Sequence, residues 1–296
     1  QTLSLALDHV GIKPLYYAHL PSKNGKAGSL VFASEVKAIL ATGLTERTLD
    51  TEALHQFLTF LWVPDPNTLF KGVKTLPPAH TLTFRDGEIV VNEWWDVSFD
   101  EIEEGRSETC WQERVLETLD RVVQMEMVAD VPLGSFLSGG IDSSSIVAMM
   151  KNHSNGRRIG TYTVGIERED LRYDIIPDDV RWARQVNRHL DTDYHEIMLR
   201  PSVAELLPRL VYHMDEPAID MAIPSYLVSQ AARETLTVML SGMGGDEVFA
   251  GYPRQLAGSQ ISPTGQAVAV AEMLAGVLHK DFPLERAELA LKIVPG

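Results

Sequence analysis

The residues best suited to chemistry in this sequence are the serines, glycines and aspartate at 138–143, which read Ser-Gly-Gly-Ile-Asp-Ser. An apolar run at 131–137 precedes them and predicts a buried parallel strand. Ser143 is the expected cap of a helix whose apolar side packs back on that strand. Gly139 and Gly140 predict a sharp turn, because only small residues allow one there. The stretch therefore predicts a strand, a turn and a helix, and the first N–H groups of that helix remain free.

Free N–H groups at a helix N-terminus attract anions, and the consecutive hydroxyls of Ser143, Ser144 and Ser145 would add further donors. The expected ligand is a phosphate. Asp142 would repel phosphate oxygens unless a divalent cation such as Mg²⁺ lay between them. The pattern therefore predicts a Mg²⁺-nucleotide site; the plainer alternative is a glycine turn with a serine-rich helix cap.

A second glycine-rich stretch, Ser-Gly-Met-Gly-Gly-Asp-Glu at 241–247, follows the apolar strand predicted at 236–240. Parallel strands place their carboxyl ends on one edge of a sheet, so we expect Asp142 and Asp246 to lie close enough to share Mg²⁺ on a triphosphate. A third acidic loop, Asp215-Glu216-Pro217, is compatible with a role at the same site or with a solvated turn.

Composition narrows the function classes. The chain has 296 residues and a formal charge of −15, which argues against nucleic acid as a partner because a basic surface is missing. The single cysteine, Cys110, excludes an internal disulfide and fits a reducing cytoplasm. The apolar stretch 267–278 is short and contains Glu272, so it predicts a buried helix and no membrane span, and the N-terminus carries no cleavage signal.

The periodicity predicts two domains, with the boundary in the acidic stretch 98–106. Residues 1–97 are rich in strand patterns. The predicted elements are a hairpin of 3–7 with 15–18, a strand at 30–33, a helix capped by Ser34, a helix at 51–60 and a hairpin of 81–84 with 89–91.

From residue 107 onward the pattern alternates between helix and strand. Ser107 is expected to cap a long helix whose buried stripe is Trp111, Val115, Leu119 and Val122. Repeated strand-helix units predict a parallel sheet with helices on both faces and a site at the carboxyl ends of the strands. The later elements are strands at 159–165, 194–198 and 236–240, and helices at 177–190, 203–214 and 224–234.

Together, the three loops resemble those of the glutamine-hydrolysing asparagine synthetase family. The stretches 7–17, LDHVGIKPLYY, and 32–38, FASEVKA, are similar to the closing part of that family's glutaminase domain. The resemblance implies an α/β ATP-pyrophosphatase domain of the adenine nucleotide alpha hydrolase type at 107–296, incomplete at its C-terminus. It also implies an incomplete α+β domain of the Ntn-hydrolase type, part of a type 2 glutamine amidotransferase, at 1–97.

The resemblance further implies a reaction in which ATP adenylates a carboxylate, pyrophosphate leaves and ammonia forms an amide. Its cofactors are ATP and Mg²⁺, its substrates are aspartate and glutamine or ammonia, and it is compatible with a homodimer. Asp142 and Asp246 would be the catalytic residues and hold Mg²⁺. Pyrophosphate would lie against Ser138, Gly139, Gly140 and Ser143, and AMP beside Leu137, Val164, Ser241 and Gly242.

Two departures from the family pattern bear on this interpretation. The family's glutaminase begins with a cysteine, whereas this sequence begins at Gln1, so we expect an upstream segment and no glutaminase activity here. Met243 stands where the family often has Glu or Asp, and a thioether cannot accept a proton. Three functions follow as alternatives: asparagine synthesis, amide or β-lactam formation on another carboxylate, and nucleotide binding without catalysis.

Overall fold

The computed structural model describes residues 2–22, 28–98, 105–166, 179–199, 203–217 and 222–249. The chain divides into two compact units, one of residues 1–112 with 200–227 and one of residues 113–199 with 228–296. The helix predicted at 267–278 lies outside the described residues. Across the described part of the chain, no helix is long and apolar enough to cross a membrane.

The first unit contains two antiparallel three-stranded sheets. One has the order β1-β5-β6 and the other β3-β2-β4. The strands are β1 (Thr2–Ala6), β2 (Tyr16–Leu20), β3 (Ser29–Ala33), β4 (Lys74–Thr75), β5 (His80–Arg85) and β6 (Glu88–Glu93).

The hairpin predicted between β1 and β2 is wrong. β1 pairs with β5, where Leu5 lies opposite the fully buried Leu82, and β2 pairs with β3 and β4. The carboxylate of Asp8 accepts hydrogen bonds from the N–H groups of Val10 and Ile12, which turns the chain away from β1. The packing of Leu5 on Leu82, which is far away in sequence, therefore stabilises the β1–β5 pairing more than the short connection stabilises a β1–β2 hairpin.

Other local predictions for this unit are confirmed. Helix α2 (Thr51–Phe60) begins after Asp50, whose carboxylate accepts hydrogen bonds from two N–H groups of the first turn. The β5-β6 hairpin turns at Asp86 and Gly87, both with positive φ. Helix α1 (Val36–Ala41) also forms, but its N-cap is Glu35 instead of the predicted Ser34, and the Glu35 side chain does not cap it.

The second unit is built on a four-stranded parallel sheet with the order β10-β7-β8-β9. Helices cover both faces, since Val147 and Ala183 pack with Leu137 on one face, and Val228 and Ala232 pack with Tyr162 on the other. The predicted α/β architecture is thus confirmed. The strands are β7 (Leu133–Phe136), β8 (Gly160–Ile166), β9 (Asp193–Leu199) and β10 (Val238–Leu240).

The remaining helices agree closely with the predicted ones, except for a short last helix that the sequence did not predict. They are α3 (Glu108–Glu126), α4 (Ile141–His153), α5 (Asp179–Leu190), α6 (Val203–Met214), α7 (Ala222–Ala232) and the short α8 (Gly245–Phe249). Ser107 caps α3 as expected, because its hydroxyl accepts a hydrogen bond from the N–H of Cys110.

The buried stripe predicted for α3 is partly wrong. Trp111 and Val122 are 38% and 41% exposed, whereas Val123 is 2% exposed and packs with Leu119 and Met150. The stripe therefore continues from Leu119 through Val123 to Met127, at a spacing of four residues. Two adjacent valines made the register ambiguous, and packing against α4 selects Val123.

This register gives a matched pair of variants. Val123→Ala should lower the free energy of unfolding by about 2 kcal/mol, because it removes buried methyl groups and leaves a cavity. Val122→Ala makes the same change in helix propensity on the exposed side and should cost less than about 0.5 kcal/mol. Urea unfolding of both variants tests the assignment; equal losses would contradict it.

Candidate functional site

The loop between β7 and α4 holds the first set of predicted site residues. Gly139 has φ +82°, and α4 begins at Ile141 with Gly140 as its N-cap in an extended conformation. The first N–H groups of this 13-residue helix have no intrahelical partner, so they are available to a ligand, and anion binding by this loop stays a prediction.

The prediction that Ser143 caps α4 is wrong, because the N-cap is Gly140, three residues earlier. Ser143 instead lies buried in the first turn of the helix, where its hydroxyl accepts a hydrogen bond from the N–H of Ser138 (3.2 Å) and donates to the carbonyl of Gly140 (3.3 Å). The hydroxyls of Ser138 and Ser143 lie 3.0 Å apart, and the N–H of Gly140 donates to the Ser138 hydroxyl. These bonds close a ring that fixes the loop before any ligand binds.

The other two serines of the run contribute differently from what the sequence suggests. The Ser144 hydroxyl is buried, and no residue of the described part of the chain bonds to it. Ser145 is half-buried on the same helix. Of the three hydroxyls, that of Ser143 is therefore the one with bonds inside the loop, and the backbone N–H groups are left as the expected anion donors.

Gly139 lies against the backbone of α5, a contact that the sequence did not reveal. A Cβ at this position would lie 2.5 Å from the N of Ala183 and from the carbonyl carbon of Trp182. No side chain can be accommodated at that distance. A glycine is thus required both by the positive φ and by the packing of α5 on the loop.

The second glycine loop follows β10 and lies beside the first. A Cβ at Gly242 would lie 2.7 Å from the N of Ser143, and one at Gly245 would lie 2.6 Å from the carboxyl carbon of Asp142. The strands beneath are joined by the Ser135 hydroxyl, which donates to the carbonyl of Leu240 (3.1 Å). The two loops therefore meet at the carboxyl edge of the sheet, as predicted.

Asp142 lies in an acidic environment. Burial raises the pKa of Asp142, and the charges of Asp246 and Glu247 raise it further. Within the described residues, no group of three or more His, Cys, Asp or Glu side chains could by itself hold a metal ion. Two carboxylates fit Mg²⁺ that takes its remaining ligands from phosphate oxygens and water, which is how nucleotide-bound Mg²⁺ is usually held.

The residues predicted to border AMP lie around the same edge but on different faces. The Leu137 side chain is 1% exposed and lies in the core beside α4 and α5. The backbone carbonyl of Leu137 accepts a hydrogen bond from the Thr163 hydroxyl. Val164 packs on the opposite face with Tyr162 and Val228. Ser241 is exposed, and its hydroxyl accepts a hydrogen bond from the N–H of Met243. Met243 itself is 82% exposed.

The third acidic loop belongs to the first compact unit, where it follows α6. The Asp215 side chain is 9% exposed, so the alternative of a solvated turn is wrong. Burial raises the pKa of Glu216, as do the charges of Asp65 and Asp215. Burial also raises the pKa of Tyr16, and the charge of Glu216 adds to that effect. A buried acidic group of this kind had no signal in the local sequence.

The parallel sheet carries a Ser-Gly-Gly loop, a helix N-terminus and a second aspartate loop at its carboxyl edge, which is the arrangement expected from the resemblance to asparagine synthetases. Sequence profiles of known protein families support the same assignment. The sequence profile described as Asparagine synthase matches residues 114–292, and the one described as Glutamine amidotransferase domain matches residues 1–95. The chain belongs to the asparagine synthase family.

Similar curated proteins carry the same family name. A glutamine-hydrolysing asparagine synthetase of Bacillus subtilis (strain 168) is 35% identical over 83% of this chain and 37% of its own length. A putative asparagine synthetase of Methanocaldococcus jannaschii is 31% identical over 85% of this chain and 47% of its own. The chain thus spans less than half the length of these relatives.

Two further similarities are more distant. A protein of Penicillium rubens named as an amidase is 29% identical over 85% of this chain and 38% of its own length. Among solved structures, a glutamine-dependent NAD+ synthetase from Acinetobacter baumannii in complex with ADP is 14% identical over 91% of this chain and 60% of its own, with a TM-score of 0.35.

The glycine contacts predict the effect of two neighbouring substitutions. Gly139→Ala should lower the free energy of unfolding by at least about 2 kcal/mol, because it combines a strained φ with overpacking against α5. Gly140→Ala is the control, since a Cβ there would meet only the Ser138 hydroxyl, at 3.4 Å, and it should cost less than about 1 kcal/mol. Urea unfolding compares the two, and equal costs would contradict the packing of α5 on Gly139.

The half-buried Glu216 predicts a pH dependence of stability. Its pKa in the folded chain is raised above the ordinary 4.5, so its contribution to stability is complete below pH 4.5 and is lost as the pH rises through the folded value. Glu216→Gln removes this loss. From pH 4.5 to neutral pH, the free energy of unfolding of the parent should therefore fall relative to that of the variant. Exposed Glu88→Gln serves as the control, and parallel curves for parent and Glu216→Gln would contradict the shift.

Proposed function

We propose that this protein is an ATP-dependent amide-forming ligase that makes asparagine from aspartate. The observation that carries the proposal is the meeting of the two glycine loops, where Gly242 and Gly245 lie against Asp142 and Ser143. This contact brings an anion-binding helix N-terminus and two aspartates to one point. Membership of the asparagine synthase family supports the same chemistry.

We assign pyrophosphate to the first loop. The backbone N–H groups that open α4 would donate to its oxygens, with the positive end of the helix dipole behind them. The Ser138 hydroxyl can turn from Ser143 to a phosphate oxygen, because the Ser143 hydroxyl would still accept the hydrogen bond from the N–H of Ser138. Gly139 and Gly140 let the backbone approach the ligand closely.

We assign the metal to Asp142 and Asp246. Mg²⁺ bound there would neutralise charge that develops on the departing pyrophosphate. Asp142 would then carry full negative charge, since a cation reverses the effect of its acidic neighbours on its pKa. AMP is assigned to Ser241 and Gly242, and to the backbone of Leu137 and Val164.

In the proposed reaction, a carboxylate oxygen of aspartate attacks the α-phosphorus of ATP and the bond to pyrophosphate breaks. Ammonia then attacks the carbonyl carbon of the acyl-adenylate, loses a proton and expels AMP. The protein's contribution is to hold the reacting groups in line and to place donors where negative charge grows. Met243 cannot accept the proton that ammonia loses, so another group must do so.

The source of ammonia in the whole protein is proposed to be glutamine, because residues 1–95 match a glutamine amidotransferase domain. For residues 1–296 alone, we propose that added ammonium supplies the ammonia. We also propose two domains, at 1–97 and 107–296, and a homodimer. The single cysteine is in keeping with a cytoplasmic location, which we propose as well.

A different acceptor carboxylate is the second candidate function. The observation that favours it is Met243, whose exposed thioether presents an apolar surface on the second glycine loop. Pyrophosphate release with ammonium across a panel of carboxylic acids separates the candidates. Aspartate should give the highest kcat/KM if asparagine is the product, a larger apolar acid should do so for the second candidate, and no release at all would indicate nucleotide binding without catalysis.

The metal assignment predicts the behaviour of two variants. Asp142→Asn and Asp246→Asn should each lower pyrophosphate release by about 100-fold or more, because one neutral ligand weakens the hold on the shared cation. The double variant should be little slower than either single one.

Cys110→Ser is the control for this experiment, because Cys110 lies on α3 beside Arg106 and we assign it no role. It should leave pyrophosphate release unchanged. Effects of the two aspartate variants that multiply independently would contradict a shared ion.

A further inference from the structure

Large hydrophobic side chains are exposed beside the two glycine loops. In the described part of the second compact unit, the most exposed ones are Val128 (85%), Ile141 (82%), Met243 (82%) and Val248 (76%). Val128 lies on the connection that enters β7 at the amino edge of the sheet, whereas the other three flank the candidate site. Single exposed hydrophobic residues are common on protein surfaces, but several at one place mark a surface that a ligand or partner covers.

The contacts of Asp142 bring two of these side chains together. A Cβ at Gly242 would lie 2.8 Å from the Cβ of Asp142, and one at Gly245 would lie 2.6 Å from its carboxyl carbon. Ile141 precedes Asp142 in the chain, and Met243 follows Gly242. Each of these two apolar residues is therefore the direct neighbour of a residue in the contact between the loops.

Val248 lies next to the same contact, on α8. Its N–H donates a hydrogen bond to the carbonyl of Gly244 (3.2 Å), so it is held within one helical turn of the second glycine loop. The side chains of Ile141, Met243 and Val248, here called the apolar rim, thus flank the point where Asp142 lies against that loop.

The chemistry of the apolar rim excludes some roles. Aliphatic and thioether side chains carry no charge and offer no hydrogen-bond donor, so the rim cannot bind phosphate or Mg²⁺. Its physical effect is to keep water away from a ligand that covers it. The surroundings of Asp142 agree with this effect, because burial is the largest of the causes that raise the pKa of its carboxyl.

Water competes with ammonia at one step of the proposed reaction. Ammonia attacks the carbonyl carbon of the acyl-adenylate and gives the amide and AMP. If water attacks that carbon instead, a new carbon–oxygen bond forms and the bond to the phosphate oxygen breaks. The carboxylate is regenerated, AMP leaves and both protons of the water molecule are released, so ATP is consumed without formation of an amide.

We propose that the apolar rim excludes water from the acyl-adenylate, so that ammonia and not water reacts with it. This inference rests on the proposed ligase function and assigns the residues that couple ATP consumption to amide formation. A polar rim should increase hydrolysis more than it slows adenylation, because the backbone donors and the two aspartates are unchanged.

The test measures the AMP released per amide formed by the full chain, at saturating ammonium and with the carboxylic acid that the parent uses best. Met243→Gln preserves the length of the side chain but replaces the thioether with a hydrated amide. The ratio should rise from about one in the parent to about three or more, whereas ATP–pyrophosphate exchange should change less than about threefold. Met243→Leu restores an apolar side chain and should return the ratio to the parent value.

Ile141 allows the same comparison on the first loop. Ile141→Thr and Ile141→Val introduce side chains of nearly the same shape, but only threonine adds a hydroxyl, so only the threonine variant should raise the ratio. Val128→Thr is the matched control, because it makes the same polar change on an equally exposed residue at the opposite edge of the sheet. It should leave the ratio at the parent value.

Calorimetry with a stable sulfamate analogue of the acyl-adenylate gives a readout that needs no turnover. A ligand that covers the rim removes apolar surface from water, so binding to the parent should show a negative heat-capacity change. This change should be smaller in magnitude for Met243→Gln and Ile141→Thr, and equal to that of the parent for Val128→Thr.

Three results would overturn the proposal: equal ratios of AMP to amide in the parent and both polar rim variants, an equal rise in Val128→Thr, or equal heat-capacity changes in all proteins. The first would mean that something other than the acyl-adenylate covers these side chains. A parent without pyrophosphate exchange on any carboxylic acid would instead refute the proposed function, and the heat-capacity changes would still decide whether a bound adenylate covers the rim.

Discussion

The candidate site depends on one steric constraint, the close approach of two loop backbones at the carboxyl edge of β7 and β10. Gly242 and Gly245 lie so near Asp142 and Ser143 that no side chain fits between them. Neighbouring parallel strands bring the loops together, and the Ser135 bond to the carbonyl of Leu240 holds their ends in register. Without this approach, Asp142 and Asp246 would be two unrelated surface acids.

The same constraint explains why the first loop is fixed before a ligand arrives. Its serines bond to one another, and α5 packs against Gly139, so the backbone donors are already oriented. Preorganised donors need no rearrangement when charge develops, which is the main requirement for stabilising departing pyrophosphate. The acidic surroundings of Asp142 would oppose a bound phosphate in the absence of a cation, so the proposed function requires the nucleotide and Mg²⁺ to bind together.

Predictions from sequence succeeded where local chemistry decides the structure. The bounds of α2 and α6, the β5-β6 turn and the strand before the Ser-Gly-Gly loop all follow from caps, glycines and periodicity within a few residues. Sequence reasoning failed where distant partners decide. β1 pairs with β5 and not with β2, and Val123 replaces Val122 in the buried stripe. The cap of α4 is a local failure, because Gly140 takes the position expected of Ser143. The contact between Lys37 and Asp215 spans too much sequence for any local pattern to indicate it.

Transfer of ¹⁸O shows whether an acyl-adenylate forms at the two glycine loops. Aspartate labelled with ¹⁸O in its side-chain carboxylate would be incubated with ATP, Mg²⁺ and ammonium, and the nucleotide product analysed by mass spectrometry. Attack on the α-phosphorus predicts AMP that carries one ¹⁸O atom, together with unlabelled pyrophosphate. ADP with ¹⁸O in inorganic phosphate would show attack on the γ-phosphorus and rule out an acyl-adenylate.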